Sequence, residues 1–83
     1  MAFYTYILFS EKINKYYVGS CRDIDDRIKR HNAGYSKSTK VSTPWVLKYT
    51  EVFETRTEAT IRELEIKRKK SRKYIEWLIS STG

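Results

Sequence analysis

The feature that most constrains the fold is the apolar run FYTYILF, which begins at Phe3. Its β-branched and aromatic residues favour a β-strand. Both alternating faces of that strand are apolar, with Ile7 on one face and Tyr6 and Leu8 on the other. A strand that is apolar on both faces is usually covered on both, so this run is predicted to be the central strand of a sheet.

A second strand and a helix are predicted directly after it. The polar stretch SEKINK is typical of a turn, and YYVGS, residues 16–20, is short enough to pair back as an antiparallel strand. The segment from Ser20 to Asp23 has the Ser-x-x-Asp form of a helix cap. We therefore expect a helix from about Arg22 to His31.

A third strand is predicted over residues 45–53, WVLKYTEVF, where apolar and polar residues alternate. The alternation places one set of apolar residues on a single face of this strand: Trp45, Leu47, Tyr49 and Phe53. The preceding segment GYSKSTKVSTP, residues 34–44, has no apolar period and is predicted to be an exposed polar loop.

Two more helices complete the predicted architecture. Thr55 and Glu58 form a capping box before a helix that is expected to reach about Lys69, and Ser71 is expected to cap a last helix. The apolar face of that last helix includes Tyr74, Ile75, Trp77, Leu78 and Ile79. The order β-β-α-β-α-α predicts a single α+β domain over residues 1–83, a small three-stranded antiparallel sheet flanked by three helices.

The charge of the chain favours a polyanionic partner. The formal net charge is +7, and residues 56–73 carry eight Lys or Arg against three Glu. Nucleic acid is the first candidate and an anionic membrane surface the second, whereas a merely soluble basic protein is the alternative. A single cysteine, Cys21, excludes an internal disulfide, and no run approaches the roughly 20 apolar residues of a membrane span, so a cytoplasmic protein is expected.

Three side chains are candidates for chemistry on spacing alone. Glu63 shares an apolar helix stripe with Ala59 and Ile66, where a carboxylate needs either a salt bridge to a neighbouring Arg or a metal ion. Arg27 and His31 are four residues apart and so share one helix face. They would either grip a phosphate or form a solvated basic face.

Two tyrosines precede them in the first two strands. Gly19 follows Tyr17 on the same strand face, where a glycine permits the close approach of a ligand backbone. Tyr6 shares a sheet face with Tyr17 only if it lies opposite Tyr17 or Gly19, and the sequence leaves this register open. Taken singly, both tyrosines are more typical of core packing than of catalysis.

Taken together, these residues resemble the GIY-YIG nuclease superfamily, particularly its small stand-alone bacterial members, which are related to the nuclease domain of the excinuclease C subunit. The first motif stands at residues 4–6 and the second at residues 17–19. Arg27 has the position of the family's catalytic arginine, His31 lies one turn later, and Glu63 lies in the family's metal-binding helix, here TEATIRELEIK. The resemblance extends from about residue 3 to residue 79.

The resemblance implies a metal-dependent endonuclease that hydrolyses DNA phosphodiester bonds, with relatives active on branched or damaged DNA in repair. It implies one Mg²⁺ or Mn²⁺ held by Glu63. It also implies that Arg27 neutralises charge on the phosphate and that Tyr17 orients or deprotonates the attacking water, assisted by Tyr6 and His31. His31 is the rival base, because histidine titrates near neutral pH.

Other consequences of the resemblance concern substrate binding and turnover. Sequence-independent phosphate contacts are expected from a basic set, Arg30, Lys37, Lys40, Lys67 and Lys70. Ser20 stands where some relatives have Lys, which predicts slow turnover or a substitute cation. The alternatives are a non-catalytic nucleic-acid-binding domain of the same fold and a basic protein-interaction domain. So small a domain is expected to need self-association or a protein partner for targeting.

Overall fold

The computed structural model describes residues 2–33 and 43–81, in which a three-stranded antiparallel sheet is flanked by three helices. The elements in chain order are β1 (Phe3–Ser10), β2 (Lys15–Cys21), α1 (Ile24–Ala33), β3 (Val46–Phe53), α2 (Arg56–Lys69) and α3 (Arg72–Ser81). The predicted α+β class and element order are confirmed. In these two described ranges, no helix has the length and apolar character needed to cross a membrane.

The first strand is central, as its two apolar faces predict, because the strand order is β2-β1-β3. One face of the sheet packs against α2 and α3 through a buried cluster of Ile7, Val18, Tyr49, Ile66 and Leu78. The other face carries the buried cluster of Tyr6, Leu8, Cys21 and Trp45, against which Ile24 and Ile28 of α1 pack. A strand covered on both faces leaves little of its apolar surface in water, which stabilises this small domain.

The alternation in β3 does not hold to one face, and the predicted shared face is wrong. Tyr49 lies opposite Ile7, but Leu47 lies opposite Leu8, because the register shifts between these pairs. Such a β-bulge moves the residues before it to the other side of the sheet. Leu47 and Trp45 therefore pack on the α1 side, and Tyr49 packs on the α2 side.

The predicted caps of α2 and α3 are confirmed. The Glu58 amide donates to Thr55 Oγ1 at 3.2 Å, and the Tyr74 amide donates to Ser71 Oγ at 3.2 Å. Helix α2 ends where Lys70 adopts a left-handed conformation with φ of 47°. This residue stops the helix and turns the chain into α3, a task that Gly or Asn usually performs.

Two other expectations about the helices are wrong. Asp23 rather than Ser20 caps α1, since its Oδ1 accepts from the Asp26 amide at 3.0 Å while Ser20 still belongs to β2. Trp77 was predicted on the apolar face of the last helix, yet it is 60% exposed. The core is thin, and Leu78 alone of the residues in α3 is fully buried.

Candidate active site

Aromatic side chains from β1, β2 and α1 meet on the α1 side of the sheet, next to the free edge of β2. The rings of Tyr6 and Tyr17 are stacked with centroids 6.4 Å apart. His31 projects from α1 onto them, with its ring 4.6 Å from that of Tyr17 and 6.2 Å from that of Tyr6. Three of the residues predicted for the site are thus brought together.

The register of β1 and β2 explains the glycine of the second motif. Tyr6 lies opposite Gly19, and its ring lies across this position. A Cβ atom at Gly19 would lie 2.5 Å from the Tyr6 hydroxyl and 2.7 Å from its Cζ, closer than real carbon atoms approach. The space above Gly19 is therefore filled by the Tyr6 ring, and the expectation that a ligand backbone approaches there is wrong.

Tyr6 and His31 form a polar pair within this cluster. The Tyr6 hydroxyl lies 3.3 Å from His31 Nε2. Burial raises the pKa of Tyr6, and the neighbouring Tyr17 raises it further, so the phenol keeps its proton. Burial lowers the pKa of His31, and the charge of Arg27 lowers it further. The imidazole is therefore neutral at pH 7, and its tautomer decides which of the two groups donates in this hydrogen bond.

Glu63 approaches from the opposite face of the sheet. One turn earlier in α2, the buried Thr5 hydroxyl donates to the Ala59 carbonyl at 2.7 Å and fixes the helix to β1. Ser20 then donates to Glu63 Oε1 at 2.6 Å, and Lys67 Nζ lies 2.5 Å from Oε2. The salt bridge considered for Glu63 thus exists, with a Lys of its own helix rather than an Arg, and the side chain is 17% exposed.

The charges of Arg27 and Glu63 both act on the Tyr6 hydroxyl. Apart from burial and Tyr17, the positive charge of Arg27 lowers the pKa of Tyr6 and the negative charge of Glu63 raises it. Arg27 is exposed on α1, and Glu63 reaches β2 from α2. The two charges therefore flank the same part of β2, from opposite faces of the sheet.

The sequence did not single out Trp45 and Asn32, which form a wall of this cluster. Asn32 Oδ1 accepts from the Trp45 amide at 2.6 Å, and its Nδ2 donates to the Trp45 carbonyl at 3.2 Å. The Trp45 ring then lies 6.0 Å from Tyr17 and 6.2 Å from His31. The only sequence signal for Asn32 was its position directly after His31. Strand alternation had assigned Trp45 to the apolar face of the third strand.

The residues predicted to contact nucleic acid differ in whether their charges are engaged in salt bridges. Arg30 is exposed and forms a salt bridge of 2.9 Å with the exposed Asp26, a type of pair that contributes little to stability. Lys67 forms a salt bridge with Glu63, and Lys70 is exposed at the end of α2. The remaining two predicted contacts, Lys37 and Lys40, lie outside the described residues.

This fold and its motifs define a GIY-YIG domain. Residues 2–75 match the family model of the GIY-YIG catalytic domain, and the chain belongs to this family of nucleases. UPF0213 proteins of Staphylococcus aureus strains Mu50 and N315 are 46% identical over 52 residues, which is 61% of this chain and 63% of their own length. The solution NMR structure of a UPF0213 protein from Bacillus halodurans has a TM-score of 0.62 at 37% identity, covering 100% of this chain and 87% of that one.

Nucleases of this family generally use a divalent metal ion, and Glu63 is compatible with one. Over residues 2–33 and 43–81, no three or more His, Cys, Asp or Glu side chains are grouped to share an ion. Mg²⁺ is often bound through one or two carboxylates and keeps several waters, so a single held carboxylate is sufficient. Lys67 occupies the second oxygen of Glu63, so a metal ion bound there would displace the ammonium or share this oxygen with it.

Proposed function

We propose that this protein is a metal-dependent endonuclease that hydrolyses DNA phosphodiester bonds at the free edge of β2. The observation that supports this most is the cluster of Tyr6, Tyr17 and His31 beside the edge of β2, to which Ser20 and α2 bring the Glu63 carboxylate. These side chains come from four different elements, and core packing alone gives no reason to bring a carboxylate to the edge of such a cluster.

Arg27 stabilises the charge that develops on the phosphate. Its guanidinium is exposed on α1 beside a neutral His31, so it meets the substrate rather than a buried carboxylate. A guanidinium donates two parallel hydrogen bonds to phosphate oxygens and keeps its charge at every working pH.

Tyr17 is the tyrosine that reaches the substrate. It is 37% exposed, whereas Tyr6 is 1% exposed and already hydrogen-bonded to His31. Tyr17 therefore orients the attacking water, and Tyr6 acts as a positioning residue that holds the imidazole. His31 remains the rival acceptor for the proton of the water, since neutral imidazole is a base near pH 7.

Glu63 holds the divalent cation, Mg²⁺ or Mn²⁺, which when bound polarises the phosphate and stabilises the leaving oxygen. Ser20 fixes one oxygen of the carboxylate, and Lys67 neutralises the other until a cation is bound. Lys67 is thus the substitute for the Lys that some relatives carry in place of Ser20. The net charge of +7 supports DNA as the partner, through sequence-independent phosphate contacts.

A cleavage assay on supercoiled, linear, flapped and branched DNA tests the proposal. Cleavage is expected with Mg²⁺ or Mn²⁺ and not with chelator. Tyr17→Phe and Arg27→Gln are each expected to slow it by about 100-fold or more. Lys29→Gln removes a charge from the same helix and serves as the control, with a rate close to wild type. DNA binding without metal-dependent cleavage contradicts the proposal and indicates the non-catalytic binding domain instead.

A further inference from the structure

An open groove of about 440 Å³ continues from the candidate active site along the same edge of β2. It shares Tyr17 and Lys67 with that site and lies between β2 and the junction of α2 and α3. Its floor is apolar and is formed by Val18, Ile66 and Ile75. Whatever occupies this groove therefore lies next to the proposed catalytic tyrosine.

The rim of the groove is basic. Lys15, Lys67, Lys70 and Arg72 line it, and none of its described lining residues is acidic. Arg72 is engaged with Asn14, with the ring of Tyr16 and, in a salt bridge of 3.4 Å, with Glu76, and Lys67 is engaged with Glu63. In the described part of the chain, Lys15 and Lys70 form no salt bridge, so their charges are available to an anionic ligand.

A basic rim over an apolar floor matches an unpaired nucleotide better than a duplex. In a duplex the bases are stacked and paired, so their faces are not available to a protein surface. In a single strand the base is free to lie on apolar or aromatic side chains while its phosphates contact Lys and Arg. The groove supplies both kinds of contact side by side.

We propose that this groove binds one or two unpaired nucleotides of the DNA strand adjacent to the scissile phosphate. The enzyme then takes single-stranded or flapped DNA in preference to continuous duplex. The groove is a site for the strand itself and does not read sequence, because the hydroxyls of Tyr16 and Ser71 that line it are already engaged with Glu76 and with the Tyr74 amide. This inference rests on the proposed function for the position of the scissile phosphate.

Binding of two DNA probes to the full-length protein in chelator tests the groove. The probes are a labelled oligothymidine and a hairpin duplex with the same number of phosphates, followed by fluorescence anisotropy. We expect the single strand to bind about tenfold more tightly, because its free base can cover the apolar floor while its phosphates contact the rim. Equal binding of the two probes, or tighter binding of the duplex, overturns the inference.

Variants separate the floor from the rim. Ile75→Gln keeps the helix and makes the floor polar, so the preference for the single strand is expected to fall to about twofold. Lys70→Asn suits the left-handed backbone and is expected to weaken single-strand binding about threefold. Lys48→Gln in β3 removes the same charge elsewhere and leaves the preference unchanged. If folded Ile75→Gln and Lys70→Asn, checked by thermal unfolding, both behave as wild type, the inference is wrong.

Cleavage of the same probes with Mn²⁺ keeps this inference separate from the proposed function. Single-strand preference without any cleavage supports the groove and contradicts the nuclease. Cleavage of both probes at equal rates, unchanged in Ile75→Gln, supports the nuclease and overturns the groove. Cleavage that follows the binding preference supports both.

Discussion

Gly19 illustrates how a single residue determines the arrangement of the candidate site. The second motif needs a glycine here because the ring of Tyr6 lies across the position. Tyr6 in turn is hydrogen-bonded to His31, so the absence of a side chain in β2 allows a contact between β1 and α1. The residue acts through packing and makes no chemical contribution of its own.

Gly19→Ala is expected to destabilise the fold by about 1–3 kcal/mol, because the Tyr6 ring is buried and has to shift. It is also expected to slow DNA cleavage, since the imidazole loses its partner. Urea unfolding monitored by circular dichroism measures the first effect. Lys15→Ala, at an exposed position in the same strand, is the control, with a change of less than about 0.5 kcal/mol. A Gly19→Ala variant as stable and as active as wild type contradicts this role.

His31 makes stability depend on pH in a defined direction. Burial, and then the charge of Arg27, lowers its pKa in the folded state, so the unfolded chain takes up a proton first as the pH falls. The stability that neutral His31 contributes is complete above about pH 6.5 and decreases below it, towards the lowered pKa of the folded state.

Urea midpoints measured from about pH 7.5 down to about pH 5.5 test this direction, since the range brackets the ordinary pKa of histidine. His31→Gln should flatten the profile, because glutamine does not titrate. The raised pKa of Tyr6, caused by burial and then by the neighbouring Tyr17, keeps that phenol protonated over this range. A wild-type profile that is flat, or one that has the same slope in the variant, is inconsistent with a buried neutral imidazole.

At the scale of elements, α2 is tied to the sheet at two points one turn apart. Thr5 holds the Ala59 carbonyl, and Ser20 holds the Glu63 carboxylate. The first bond fixes the depth of the helix against β1, and the second fixes the direction of a single side chain. Together they explain how α2 places the Glu63 carboxylate at the edge of β2.

Binding of Mn²⁺ measured by calorimetry tests, independently of cleavage, whether the Glu63 carboxylate held by Ser20 and Lys67 is the metal site. Lys67→Gln should tighten binding about threefold, because the ammonium no longer competes for the carboxylate. Ser20→Ala should weaken binding by a similar factor, because Glu63 loses its orientation. Lys69→Gln is the control, on the same helix and without contact to Glu63. If both variants bind Mn²⁺ with the affinity of wild type, this Glu63 carboxylate is not the metal site.

The sequence predicted the elements better than their relative positions. The two apolar faces of β1 and the caps at Thr55 and Ser71 are local patterns, and they were read correctly. The bulge in β3 was not predicted, because it depends on how Leu8 and Leu47 pair across strands. Alternation assumes a regular strand, and one extra residue reverses it.

The candidate site was predictable in composition and not in geometry. Spacing and family resemblance named Arg27 and Glu63, but the register that sets Tyr6 over Gly19 depends on three-dimensional packing. Ser20 looked like a helix cap and instead binds Glu63. A serine can fill either role. Ser20 binds Glu63 because β2 extends to Cys21 and keeps Ser20 in the strand.

At the scale of the whole molecule, the net charge of +7 on a small domain is the source of the attraction to DNA that the proposed function requires. Affinity for oligothymidine in chelator is expected to fall at least about tenfold between roughly 50 and 200 mM salt, as counterions are released. Anisotropy titrations at several salt concentrations give the slope. An affinity that does not respond to salt contradicts phosphate contacts as the source of binding.

The central claim is that the carboxylate brought to the β2 edge by α2 belongs to the active centre. The most direct test is the single-turnover rate of DNA cleavage in Mg²⁺ for Glu63→Gln beside Glu65→Gln. Both substitutions remove one charge from the same helix, but Glu65 is exposed. We expect Glu63→Gln to be slower than wild type by about 100-fold or more and Glu65→Gln to match it within about twofold. A folded Glu63→Gln protein that cleaves DNA at the wild-type rate contradicts the account.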